Sequence, residues 1–270
     1  MSALSDSAWS VELSRRVAQF MAASFTGGTR IGPFTARIDE HSALIWRNYA
    51  VPDSDATPSA DDVQSLVDWF RQHDRIPRLE YVPAAAPAVE PSLVAAGFTV
   101  EGRSPVFGCR RGAAAELLAP DGISFALVDT DDDLLDVVVV QHAAYHGTET
   151  PGPADVARLR RLNERGGVVA LARDSATGEP VGAGVCDNPL EGVSELAAVG
   201  VAGAYQRRGI ASALTAFLAR SMHERGAELV WLERELNLPD RLYELAGFRR
   251  GAEKLWISLP PPEDRPVATR

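Results

Sequence analysis

The sequence has 270 residues, 46% of them apolar and 24% charged, which suits one or two domains and excludes a wholly disordered chain. Its 27 basic residues are outnumbered by 37 acidic ones for a formal charge of −10. Neither half is basic, so the phosphate-contacting charge that drives nucleic-acid recognition is missing. An acidic surface favours small cationic or amine partners.

The two cysteines, Cys109 and Cys186, are too far apart in sequence to form a metal-ligand cluster, and no metal is expected. Reduced thiols point to the cytoplasm. Apolar runs such as Val137 to Val140 fall far short of the ~20 residues of a membrane helix, and Asp6 and Glu12 interrupt anything resembling a signal peptide. A cytoplasmic protein, a monomer or homodimer with no membrane or nucleic-acid partner, is the expectation.

Taken in chain order, Leu44 to Val51 alternate as a strand. Val63, Leu66, Val67 and Phe70 carry the apolar spacing of a helix. Leu79 to Val82 read as a second strand, followed by a short helix ending in Gly97-Phe98. Periodicity then breaks over residues 112–122, which carry Gly112-Ala113-Ala114-Ala115 and Pro120-Asp121-Gly122. A strand follows at Ile123 to Val128, then an acidic helix start at Asp129 to Asp133 leading into Leu134, Val137 and Val138, where carboxylates suit the positive end of the helix dipole. Arg158 to Arg165 form another helix. Strands Val168 to Ala172 and Val181 to Cys186 flank a turn over residues 174–179. The last informative stretch is a strand at Ser194 to Val201, a turn, and a helix whose apolar face is Ile210, Leu214, Phe217, Leu218 and Met222.

An offset of 150 lays the first half over this second half. Leu79-Glu-Tyr-Val falls on Leu229-Val-Trp-Leu, and Gly97-Phe98 on Gly247-Phe248. Matching order and spacing over the whole stretch indicate two related units. The expected division is residues 1–115 and 120–260, with a loose Pro-rich tail at 261–270. The fold class is α+β, a mixed sheet with helices.

The turn Tyr205-Gln206-Arg207-Arg208-Gly209-Ile210-Ala211 carries the chemistry. A strand feeding a helix through small residues leaves backbone N–H groups unpaired at the positive end of a helix dipole, and that is a cradle for a pyrophosphate. Gly and Ala let the phosphate approach the amides, and Arg207 and Arg208 add charge. Gly182-Ala183-Gly184 is not a dinucleotide fingerprint, because residue 187 is Asp and no helix follows. With Lys254 as the only lysine, no triphosphatase P-loop exists. At the matching place in the first half stand Ala56 to Asp61, with no Gly, no Arg, and an Asp where phosphate would sit, so a cofactor is expected in the second unit alone.

Gln206-x-x-Gly209-x-Ala211 resembles the [Gln/Arg]-x-x-Gly-x-[Gly/Ala] signature of the GNAT acyltransferase superfamily, and Leu242-Tyr243-Glu244-x-x-Gly247-Phe248 resembles its second landmark. The resemblance implies the acyl-CoA N-acyltransferase (GNAT) fold in two units, the first degenerate. It implies acetyl-CoA as acyl donor, and a small-molecule or peptide primary amine as acceptor by direct attack. A cofactor-binding set follows from it: Val199, Gly200, Val201, Gln206, Arg207, Arg208, Gly209, Ile210, Ala211, Ser212 and Asn237.

An amine with pKa near 10.4 is only about 0.1% free base at neutral pH, so a base is needed. Glu195, 11 residues before Gln206, stands where some family members carry one; the alternative is a solvent-facing strand-end carboxylate. Val201 supplies the implied oxyanion amide. Tyr243 matches the family's general acid, or else is an aromatic packed with Leu242 and Leu245. His142, Tyr145 and His146 fall on the stretch that resembles the family's variable acceptor-site lip. Two further readings stay open, an acyl-CoA-sensing pseudoenzyme and a layout similar to mycothiol synthase.

Overall fold

The computed structural model describes residues 5–40, 43–145, 151–235 and 238–260. The chain divides into two units, Met1–Val106 with Gly251–Arg270, and Phe107–Arg250. This differs from the division expected at residues 115–120. The loose tail expected at 261–270 lies outside the described residues.

The first unit opens with helix α1 (Asp6–Ser24), capped where the Ser5 hydroxyl accepts the Ala8 N–H. Trp9, Leu13, Val17, Phe20 and Met21 recur at helical spacing and are buried. Strands β1 (Thr29–Ile31), β2 (Phe34–Arg37) and β3 (Tyr49–Pro52) follow. The strand expected from Leu44 is shorter than its alternation suggested, because Ile45–Arg47 form a 3₁₀ turn before β3 begins.

Helix α2 (Ala60–Gln72) buries Val63, Leu66, Val67 and Phe70. Strand β4 (Arg78–Tyr81), helix α3 (Val89–Ala95) and strand β5 (Thr99–Arg110) complete the run. Within this unit the strand order is β1-β2-β3-β4-β11-β5, where β11 (Arg249–Ser258) is the last strand of the described chain. β11 pairs antiparallel with β4, Leu255 opposite Tyr81 and Ile257 opposite Leu79, and both apolar residues of β11 enter this unit's core with Leu66 and Phe70.

A buried ionic network fixes that strand. The Lys254 ammonium lies 2.6 Å from one Glu80 oxygen, Arg78 pairs with the other, and Arg78 also reaches Glu101 of β5 at 3.0 Å. Burial alone would raise the Glu80 pKa, but Lys254 and Arg78 together hold it below the ordinary carboxylate range.

The second unit takes in the end of β5 from Phe107. It continues with β6 (Ile123–Leu127), α4 (Asp131–Ala144), α5 (Pro153–Glu164), β7 (Val168–Asp174), β8 (Pro180–Cys186), β9 (Val193–Val201), α6 (Ile210–Glu224), β10 (Leu229–Glu233) and α7 (Asp240–Leu245). The strand order here is β5-β10-β9-β8-β7-β6. Thr130 caps α4 by accepting the Asp133 N–H, and the carboxylates of Asp133 and Asp136 both bind Arg173 at 2.6 Å.

Apolar residues pack both faces of this sheet. Leu214, Leu218 and Met222 of α6 meet Leu196, Val230 and Leu232 on one face. Leu134 and Val137 of α4 and Leu159 of α5 meet Leu171, Ala183 and Val185 on the other. Among the described residues no helix is long and apolar enough to cross a membrane.

Candidate functional site

The site grows from an irregularity in β9. Val185 pairs with Ala197 and Ala183 with Gly200, so Gly184 of β8 faces two residues, Ala198 and Val199. That extra residue makes a β-bulge, with Ala198 at φ 53°. Before the bulge the Glu195 carbonyl accepts the Asp187 N–H at 2.8 Å; after it the Ala202 N–H reaches the Val181 carbonyl at 2.9 Å. Alternation between these two anchors turns the N–H groups of Val199 and Val201 away from β8, toward β10.

On that side the ladder has ended. β9 and β10 pair in parallel only from Val193 with Leu229 to Glu195 with Trp231, although both strands run on. The strands splay, and the Val199 and Val201 amides face the gap. Gly200 is required here by close approach, because a Cβ on it would lie 2.7 Å from the Ala144 side chain at the end of α4.

At the end of β9, Gln206 turns its side-chain amide back to the Val201 carbonyl at 3.2 Å, so it braces the turn from within. Arg207 adopts φ 61° and Gly209 φ 81°, left-handed conformations that swing the chain into α6. The first bond of that helix is Ala213 N–H to the Gly209 carbonyl at 3.1 Å. Among the described residues, the backbone amides of residues 207–212 meet no acceptor. Ile210, Ala211 and Ser212 form the first turn at the positive dipole end, so the row is an anion-binding arrangement. Arg207 and Arg208 are exposed beside it, with the Arg208 guanidinium stacked 5.1 Å over the Tyr205 ring.

Tyr243, on α7, is buried with its ring 5.3 Å from Phe107. Its hydroxyl oxygen accepts the Glu235 N–H at 3.1 Å, at the end of β10, which leaves its own proton to donate. Burial raises its pKa, partly offset by that amide, so the group stays protonated at neutral pH. Glu195 is half-buried at the last rung of the β9–β10 ladder. Asn237 and His146 lie outside the described residues.

Two neighbours of this centre, Gln141 and Asp187, were not legible as site residues, and Tyr145, expected on the acceptor-site lip, instead meets the bulge. The Gln141 side chain donates to the Ala198 carbonyl at 3.0 Å, and the Tyr145 hydroxyl donates to the Val199 carbonyl at 3.2 Å. Tyr145 is raised in pKa by burial first, then by Glu235 and Tyr243, so all three lie within electrostatic reach of one another. Asp187, opposite Glu195, is a half-buried carboxylate raised by burial against a weaker pull from Arg158. Its place just after β8 was legible, but only the strand pairing brings it beside Glu195.

The matching place in the first unit is already filled. The Ser59 hydroxyl accepts the Asp62 N–H and the Asp62 carboxylate accepts the Ser59 N–H at 2.9 Å, a capping box that occupies the α2 N-terminus and sets an anion there.

Solved structures resemble the chain. A GCN5-related N-acetyltransferase from Kribbella flavida is 21% identical, with 93% of this chain and 97% of that one covered at a TM-score of 0.77. A GCN5-related N-acetyltransferase from Sphaerobacter thermophilus is 17% identical, covering 86% and 78% at 0.63. A tandem GNAT protein from the clavulanic acid biosynthesis pathway is 13% identical, covering 93% and 96% at 0.58. A comparison with proteins of curated function finds no match. At these identities the likeness establishes the fold, and residues 136–248, which span the bulge, the cradle and Tyr243, match the acetyltransferase (GNAT) family model. Over residues 136–248 the chain is thus similar to the acetyltransferase (GNAT) family, and its fold is that of the GCN5-related N-acetyltransferases it resembles.

Proposed function

We propose that the second unit transfers an acetyl group from acetyl-CoA to a primary amine of a small molecule or peptide. The observation that carries this reading is the row of unpartnered amides at residues 207–212, which follows a bulged strand whose own amides face an open gap. The coenzyme would bring an activated thioester, its diphosphate on the cradle and its arm along the gap between β9 and β10. The Val199 and Val201 N–H groups then receive the thioester oxygen as negative charge develops on it. Glu195 takes the proton from the acceptor ammonium, and the amine nitrogen forms its bond to the acyl carbon as the carbon–sulfur bond breaks. Tyr243 gives its proton to the departing sulfur and is restored by the second proton that the nitrogen sheds as the amide forms.

Direct attack suits the chain's own chemistry, since a covalent acyl-enzyme would need a nucleophile. Both cysteines are fully buried, and burial pushes the Cys109 thiol up to about 12, so neither supplies thiolate. Two buried free cysteines also suit a reducing cytoplasm.

The test is thiol release from acetyl-CoA across a panel of primary amines, with coenzyme binding followed by calorimetry. Binding with turnover on at least one amine supports the reading. Binding with no turnover on any amine makes the chain an acyl-CoA sensor, and no binding removes the acetyltransferase assignment.

A further inference from the structure

The proposed mechanism leaves unused the last turn of α4, where Gln141, Ala144 and Tyr145 meet β9 at the bulge. Gln141 donates to the carbonyl of Ala198, the residue at φ 53°, and Tyr145 donates to the carbonyl of Val199, the next residue. Gly200 then admits Ala144 against the backbone. Three successive strand residues are therefore each engaged by one helical turn. A left-handed alanine inside a strand is strained by about 1–2 kcal/mol and persists only when its surroundings over-determine it.

Helix packing alone does not require these bonds, since Val137, Val138 and Leu134 already bury the apolar face of α4. The two polar side chains instead reach the carbonyls that set the peptide planes on either side of the bulge. A peptide plane carries its N–H and the preceding carbonyl together, so fixing the Ala198 carbonyl fixes the direction of the Val199 N–H. The Val199 carbonyl lies on the gap side of the strand, which puts the Tyr145 hydroxyl at the splay.

We propose that Gln141 and Tyr145 are positioning residues that clamp the β9 bulge and so aim the Val199 amide at the thioester oxygen. This rests on the acetyltransferase reading above. The clamp acts on the orientation of the oxyanion donors and leaves the diphosphate cradle untouched, so its removal separates turnover from coenzyme affinity.

The experiment uses the full chain with Tyr145→Phe, which removes one hydroxyl from a half-exposed side chain, and Gln141→Met, which keeps the length but not the donor. Acetyl-CoA labelled with carbon-13 at the carbonyl is bound, and its carbonyl stretch is read by infrared difference spectroscopy beside kcat and coenzyme Kd. Misaiming an oxyanion donor predicts a fall in kcat of about tenfold to a hundredfold. With it, the variants should lose part of the red shift that the parent chain imposes on the carbonyl, at unchanged Kd. An unshifted carbonyl frequency between parent and variants, with kcat unchanged, overturns the clamp, as does loss of coenzyme binding in both variants, which would make the contacts purely architectural. If the parent chain itself binds no acetyl-CoA, the acetyltransferase reading fails instead, an outcome the parent measurement alone decides.

Discussion

Tyr243 shows how a side chain can be core and reagent together. Its ring fills space against Phe107, as its spacing with Leu242 and Leu245 allowed, while its hydroxyl accepts an amide and keeps a proton to give. Tyr243→Phe keeps the packing and removes the proton, so kcat should fall about a hundredfold while coenzyme Kd moves by less than about twofold. Steady-state kinetics with calorimetry checks this.

Asp187 makes the opposite kind of prediction. Burial raises its folded pKa above the unfolded value, so its contribution favours the native state only at low pH and is lost as pH rises through the folded pKa. Asp187→Asn should therefore raise the melting temperature near pH 7, and the gain should vanish below about pH 4, where the carboxyl is protonated in both states. A thermal melt at each pH reads the sign directly.

Among elements, the turn into α6 separates backbone strain from ligand chemistry. A Cβ on Gly209 meets open space, so a substitution there costs stability only through its left-handed φ, about 1–2 kcal/mol. Gly209→Glu should fold, yet set a carboxylate where the cradle expects phosphate, and calorimetry should detect no coenzyme binding. The cradle and Gly247-Phe248 were legible because their chemistry is local: short residue strings at a strand–helix junction and a helix end. The bulge was not, since nothing in Leu196-Ala197-Ala198-Val199 marks which residue is extra, and only pairing with Gly184 reveals it. The apolar spacing of helix α1 is plain in the sequence from Trp9 to Met21. The strand expected from Leu44 begins only at Tyr49, because so short a stretch of pattern does not reveal the 3₁₀ turn at Ile45–Arg47.

At the scale of the whole chain, the two units run through corresponding elements 150 residues apart: α2 starts at residue 60 and α6 at 210, β5 at 99 and β11 at 249. The α6 start presents free amides, whereas the α2 start is closed by Ser59 and Asp62. Calorimetry should thus give one coenzyme per chain, and replacing Thr57 and Ser59 with bulky residues should leave that affinity unchanged; a halved stoichiometry in the variant would contradict it. The division expected at 120–260 keeps β11 with the second unit, because repeats in a sequence keep their order, whereas sheet pairing is not bound by chain order.

That pairing has a consequence for biosynthesis. The half translated first lacks a middle strand of its sheet until residues 107–250 have all been made, because Leu255 and Ile257 arrive only then. While the ribosome is still working, the amino-terminal segment waits with an unpaired edge at β4. The second unit, whose own strands are complete by Glu233, is thus free to mature before its older neighbour.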